Sequence, residues 1–394
     1  MSNSNGNTAD VLIVGAGVIG TSVAFHLAKK RAGCIFVVER EHTAKGGSGR
    51  SSALVRMHYS FPPEVQLAVK SLEIFENWKE IVGEPGEFRK TGFVRLVPHN
   101  EINVLQANVE MQKSCGAKTE VIDCIELQKL EPDWNLSDGP AAAYEPDGGY
   151  GDGAIVAQDF VSAARAMGVE YRPKTRVTRI SVANGRVQSV STNNGEIHPA
   201  VVLLATGPWT TQLLKPIGID LPIVPEFHEV AILRNAPNMK GGGCACIDSA
   251  HTMYFRSDAH DKTLIGDFYG TRGAAADPDN FVQRPSDDWL EGILEKASAR
   301  IPKLQNAEVM RGITGIYDMS PDSRPLLGKL PQVEGLYVAA GFSGMGFKIS
   351  PAVGLVMSEL LLDGAGATVD ISAFRPTRFA EGQPIKAEFE YKDD

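Results

Sequence analysis

The stretch Val11-Leu12-Ile13-Val14-Gly15-Ala16-Gly17-Val18-Ile19-Gly20 decides the fold of this chain. Its first four residues form an apolar run with the length and composition of a short buried strand. The glycines follow without a gap and fit G-x-G-x-x-G. From Val18 the pattern turns helical, with Ile19, Val23, Ala24, Leu27 and Ala28 on one face. A second apolar run, Cys34 to Val38, ends on the acid Glu39. Strand, glycine turn, helix and second strand together make a βαβ unit with a phosphate-binding turn.

Each position has a physical reason. Gly15 permits the tight turn, Gly17 lets the backbone approach a pyrophosphate, and Gly20 lets the helix pack on the strand. The free N–H groups and positive dipole end at the helix start attract phosphate. Glu39 lies about twenty residues beyond the glycines, where its carboxylate accepts hydrogen bonds from a ribose diol and repels a 2′-phosphate. The unit therefore points to a dinucleotide other than NADP, and by itself leaves FAD and NAD open.

A chain of 394 residues suggests two or three domains. At 43% hydrophobic and 22% charged it has the composition of a globular protein with a full core. The net charge is −9 and there is no basic run, so nucleic acid is not an expected partner. A small anionic substrate would need a local positive pocket set against that charge. Met1 to Asp10 is polar and lacks the build of a signal peptide. No apolar stretch is long enough to span a bilayer, and a cytoplasmic protein is the expectation. Cys34, Cys115, Cys124, Cys244 and Cys246 form an odd, scattered set that fits reduced thiols. The close pair Cys244 and Cys246 lacks the second pair of a zinc site, and no metal set is apparent.

After Glu39 comes a small-residue loop, Lys45 to Ser52, leading into Ala53 to Tyr59. Arg56 in this segment could clamp a carboxylate with two parallel bonds, although from the residues alone a surface arginine is the simpler reading. Pro62-Pro63 starts an amphipathic helix carrying Val65, Ala68, Leu72, Phe75, Trp78 and Val82 on its core face. Thr91 to Val97 reads as a strand and Glu101 to Lys113 as a helix. Gly148 to Gly153 reads as a glycine-rich turn, and Phe160 to Met167 as helical. Arg176 to Val182, Arg186 to Val190 and Glu196 to His198 alternate like a meander, with turns at Asn184-Gly185 and Asn194-Gly195. Val201 to Leu204 is a buried strand running into Ala205-Thr206-Gly207-Pro208-Trp209. From Ile223 the strands become longer and half polar, as in an antiparallel sheet with one packed face. Trp289 to Ala299 reads as a helix. Leu336 to Ala340 is a strand, Gly341 to Lys348 a glycine loop and Pro351 to Leu362 a helix, which makes a second anion-favouring site.

The N-terminal fingerprint, the Gly46 to Arg50 loop, Leu204-Ala-Thr-Gly207-Pro-Trp and Gly341-Phe-Ser-Gly-Met-Gly-Phe-Lys348 occur in this order in the D-amino-acid-oxidase superfamily. Over Asp10 to Phe379 the chain resembles its sarcosine oxidases most. The resemblance implies FAD, and an α/β + β fold: a discontinuous Rossmann-like FAD-binding domain with a second, mostly antiparallel-sheet substrate domain. Residues 1–88, 146–218 and 318–380 would form the first, 89–145 and 219–317 the second, and 381–394 a C-terminal tail. Implied cofactor contacts are Gly15, Gly17, Val18, Ile19, Gly20, Glu39, Arg40, Gly47, Ser48, Arg50, Ser51, Ser52, Val177, Ala205, Gly207 and Trp209, with Gly341, Phe342, Ser343, Gly344, Met345, Gly346, Phe347 and Lys348.

The implied chemistry is oxidation of the C–N bond of a small amino acid or N-methyl amino acid to an imine that hydrolyses, with O2 or another electron acceptor. Arg56 and Lys348 match the pair that holds the substrate carboxylate, and His58 is a candidate for contact with flavin or substrate. N–H groups of the Gly341 to Lys348 loop would stabilise negative charge on the reduced ring. A deaminating D-amino-acid or glycine oxidase-like activity, and an FAD-holding subunit or assembly factor without turnover, are the alternatives. Partner subunits or a homo-oligomer also fit the resemblance. Four positions depart from it. Relatives link flavin through a cysteine where Gly315 stands, or a histidine where Arg50 stands, so the expected FAD is non-covalent. The lysine that promotes reaction with oxygen is replaced by Leu264, with Lys262 two positions away, and a second clamp arginine is replaced by Ala53.

Overall fold

The computed structural model describes residues 6–236, 239, 243–258, 261–268 and 275–391. The opening apolar run is strand β1 (Thr8–Val14), followed by helix α1 (Val18–Lys29) and strand β2 (Ile35–Val38). β1 lies between β2 and β3 (Gly195–Leu204), parallel to both, and β3 is parallel to β4 (Leu336–Ala340). Strands buried on both faces need apolar residues at every position, and Ile13, Val37, Val38 and Leu203 are fully buried. Helices α1, Pro62–Glu76, Gly153–Ala166 and α2 (Gly346–Asp363) share the core on one face. α1 and α2 cross closely: a Cβ on Gly354 would lie 2.0 Å from Ser22 Oγ.

The hairpin Val177–Ala183 and Arg186–Thr192 forms as its sequence indicates. Asn184 and Gly185 take φ of 53° and 71°, the left-handed pair that a two-residue hairpin turn requires. The third member of the meander is not separate from Val201 to Leu204. Both belong to the single strand β3, which pairs antiparallel with Arg186–Thr192 up to Ile197 and parallel with β1 from His198. Pro199 stands just past this handover.

The second sheet orders Glu308–Met319, Val224–Arg234, Lys262–Asp267, Met253–Asp258, Ala245–Asp248, Phe93–Val97, Ala141–Glu145 and Glu120–Ile122. Its pairings are antiparallel except that between Ala245–Asp248 and Phe93–Val97. Helix Asp287–Arg300 covers one face through Ile293 and Ala297. The chain is thus α/β with an added, mostly antiparallel sheet.

Three further expectations change. Gly149–Gly151 is a strand between Leu54–Val55 and Phe88–Lys90, not a turn. Its glycines serve close approach, since a Cβ on Gly149 would lie 2.0 Å from Arg89 O. The helix from Pro62 ends at Glu76, and a short one, Trp78–Ile81, follows Asn77. The last long helix starts at Gly346 rather than Pro351. Proline cannot donate to the carbonyl four residues back, and the Ser350 hydroxyl bonds Phe347 O at 2.8 Å instead. Among the described residues no helix is long and apolar enough to cross a membrane.

Candidate functional site

Two adjoining cavities open where β1, β3, β4 and the second sheet converge. The first is a crevice over the glycine turn. Gly15 has φ of 105°, and a Cβ there would lie 2.4 Å from Ala205 O. A Cβ on Gly20 would meet Gly15 O at 2.0 Å, so Gly20 packs beneath the turn and does not line the crevice. Gly17, Val18 and Ile19 do line it. Ser48 reaches in from the 3-10 turn Gly47–Arg50 and accepts a bond from Val18 N at 3.0 Å. Glu39 stands beside the turn, accepting from Ala16 N at 3.0 Å and from Glu41 N at 2.9 Å.

At this end the Arg40 guanidinium lies 3.9 Å from the Trp209 ring. Asp279 fastens both, at 2.6 Å to Arg40 and 3.0 Å to Trp209 Nε1. Val177, Ala205 and Gly207 complete this wall, with Lys45, Thr175 and Arg176, which the sequence did not mark. At the far end the crevice meets Gly315 to Asp318 of the second sheet and Phe342, Gly344, Gly346 and Phe347 of the C-terminal loop. Arg50 crosses to this sheet, donating to Thr314 O at 2.8 Å and Gln283 Oε1 at 3.0 Å.

The C-terminal loop is organised by Asp318. Its carboxylate accepts from Gly341 N at 2.7 Å and its carbonyl from Ser343 N at 3.1 Å. Burial pushes the Asp318 carboxyl up to about 6. The Gly341 and Ser343 N–H groups are therefore committed to the protein. Of the expected donors lining the crevice, Gly346 and Phe347 sit in the first turn of α2, where N–H groups have no partner within the helix.

The second cavity shares Tyr317 and Gly344 with the first. Ser52, Arg56, His58, Ser343, Met345 and Lys348, all marked in the sequence, line it. Two strands from distant parts of the chain add Arg95 and Tyr254, and a loop adds Arg324. Four basic side chains, Arg56, Arg95, Arg324 and Lys348, thus face it beside the carboxylates Glu64 and Asp267. Glu64 is 3.5 Å from Arg324. Lys348 donates to Gly344 O at 3.3 Å, and burial followed by the Arg56 charge lowers its pKa well below the usual lysine value. Arg56 lies 4.2 Å from the Tyr59 ring. His58 is buried and bonded through Nε2 to Tyr391 Oη at 2.7 Å; burial, then Arg95 and Arg56, hold its pKa well down.

Leu264 is packed in the core. Lys262, in the register opposite Arg234 and Asp258, lines neither cavity. Ala53 is buried at φ of 54°. The residues fit a dinucleotide in the first cavity: a turn with no room for side chains, a helix N-terminus, and a carboxylate placed beside them. The second cavity suits a small anion.

The comparisons agree with this geometry. Residues 10–360 match the family DAO, FAD dependent oxidoreductase. The chain is 29% identical to FAD-dependent oxidoreductase domain-containing protein 1 of Bos taurus, over 95% of this chain and 85% of that protein. It is 27% identical to sarcosine oxidase subunit beta of Rhizobium meliloti, over 95% of this chain and 89% of the relative. Among solved structures, L-proline dehydrogenase from P. horikoshii superposes with a TM-score of 0.88 at 26% identity, covering 96% of this chain and all of that one.

Proposed function

We propose that this chain, which belongs to the DAO family of FAD dependent oxidoreductases, oxidises the C–N bond of a small secondary or tertiary amine that carries a carboxylate. The observation that carries this reading is that Arg56 and Lys348 line one cavity beside Gly344 and Tyr317, which also border the crevice suited to FAD. Sarcosine and proline, the compounds in two relatives' names, each set such an amine next to a carboxylate.

FAD, when bound, supplies the acceptor for the two electrons leaving the C–N bond. The turn Gly15 to Gly20 with Ser48 would hold its pyrophosphate, Glu39 its ribose, and Arg40 with Trp209 its adenine end. The first turn of α2, at Gly346 and Phe347, would face the ring with its N–H groups and positive dipole end. Arg56 would take the substrate carboxylate with its two-pronged guanidinium. A carboxylate arriving beside Lys348 would favour its charged form and raise its lowered pKa. The pair so fixes the amine end toward the shared wall at Tyr317 and Gly344.

Because leucine stands where the oxygen-reactive lysine is expected, an acceptor other than O2 is part of this reading. So are a cytoplasmic location and, through the beta-subunit relative, a partner subunit. The test is anaerobic mixing with N-methyl amino acids and their amides. The acids should bleach the flavin far faster. Equal rates with the uncharged analogues, or no bleaching by any N-alkyl amino acid, would overturn the proposal.

A further inference from the structure

One wall of the second cavity comes from the end of the chain. Beyond Gly382 the described residues form no helix or strand, yet Tyr391 is only 5% exposed. The segment is tied down along its length. Ile385 N donates to Asp322 Oδ2 at 2.9 Å, and Asn108 Nδ2 of the helix Ile102–Ser114 donates to Phe389 O at 2.8 Å. The Tyr391 ring then sits between the apolar cluster of Leu105, Val109 and Ala143 and the cavity. It stacks on His58 with centroids 5.8 Å apart, and the Arg95 guanidinium lies 4.6 Å from its centroid. Of the described residues after 380, Tyr391 is the one that lines the cavity.

We propose that Tyr391 is a specificity-determining residue: its ring closes the substrate cavity and limits the size of the amine admitted. This rests on the assignment of that cavity to an amine carboxylate. Two observations support it. The contacts at Asn108 and Asp322 place the ring from outside the cavity, so it is positioned before any ligand binds. The ring's cavity side touches His58 and Arg95, which line the same space as Arg56 and Lys348, so its removal enlarges that space directly. The hydroxyl bond to His58 orients the ring, whereas the ring's bulk sets the limit.

The experiment compares the full-length holoenzyme with Tyr391→Phe and Tyr391→Ala. Anaerobic flavin reduction is measured with N-methylglycine and N-benzylglycine. The ratio of kcat/KM for the larger over the smaller amine should rise about tenfold or more in Tyr391→Ala, and stay near wild type in Tyr391→Phe. Acrylamide quenching of bound-FAD fluorescence should increase in Tyr391→Ala alone. If the alanine variant does not retain FAD, Tyr391→Leu, which keeps apolar contact with Leu105 and Val109, replaces it under the same criteria. An unmoved ratio in an enzyme that wild-type substrates reduce overturns the proposal. If no amine reduces wild type, the amine reading fails separately. Quenching then decides: an increase upholds the Tyr391 wall, and no change overturns it.

Discussion

Lys348 and Arg56 face the same cavity, and the guanidinium adds to burial in lowering the Lys348 pKa well below the usual lysine value. Arg56, Arg95 and Arg324 outnumber the carboxylates Glu64 and Asp267 around this space, which makes it receptive to an anion. The balance of charge inside the cavity therefore opposes the chain's overall −9.

Carboxylate binding should be coupled to proton uptake. Lys348 has a depressed pKa when the cavity is empty, and a bound carboxylate raises it. Between those two values binding takes up a proton, so affinity is greatest below the empty-site pKa and declines as pH rises through it. The decline should approach about tenfold per pH unit. Titrating a simple carboxylate ligand against the flavin spectrum at a series of pH values below the usual lysine pKa measures it. Lys348→Met should abolish the slope along with much of the affinity. A slope that survives in Lys348→Met would assign the coupling to another group.

Arg56→Ala should lower kcat/KM for an N-methyl amino acid by roughly 30- to 1,000-fold, about 2–4 kcal/mol, because the substrate charge is left under-paired. Arg56→Lys should recover only part of it, since one ammonium cannot form the two-pronged contact. Rapid-reaction flavin reduction reads both. The amide analogue should be nearly indifferent to either change.

The flavin should come away from the chain completely on acid or heat denaturation. The two positions where relatives carry a covalent link are neighbours here: a Cβ on Gly315 would lie 3.5 Å from Arg50 Cβ. Neither glycine nor an arginine engaged with Thr314 O supplies the nucleophile for a link. Yellow colour remaining with the precipitated protein would contradict this.

Glu39→Ala should weaken FAD binding by about 1.5–3 kcal/mol, the contribution of a hydrogen bond to a charged group. The same carboxylate holds Ala16 N and Glu41 N, so part of the loss would come from the turn itself. Glu39→Gln separates the two: the amide oxygen retains one backbone bond, so the turn should be less disturbed than in the alanine variant. Equilibrium titration of the flavin-free protein with FAD gives the affinities, and unchanged binding in Glu39→Ala would reduce Glu39 to a strand-end acid.

Much of the crevice was legible because its demands are local. A glycine turn between a buried strand and a helix is written in consecutive residues, from Val11 to Gly20, and the acid at Glu39 ends the next strand. The C-terminal loop is equally local, and only the helix start shifted, because the Ser350 hydroxyl takes the carbonyl that Pro351 leaves free. Asp279 and Asp318 were not legible. Each acts on partners far away in the chain, Arg40 and Trp209 for one and the Gly341 loop for the other.

The sequence by itself determined the βαβ unit with its glycine turn and the change to half-polar strands after Ile223, since backbone conformation and burial periodicity are properties of neighbouring residues; the two-part architecture came from the family resemblance. Only the tertiary structure decided the composition of the second cavity. The resemblance pairs Arg56 with Lys348, but Arg95, Arg324 and Tyr391 come from three further segments, and nothing in their local pattern signals a shared space. An isolated arginine or a tyrosine near the chain end looks like surface until packing removes it from water. Burial and mutual proximity then change what these groups are: a lysine with a depressed pKa beside an arginine, and a terminal tyrosine as a cavity wall.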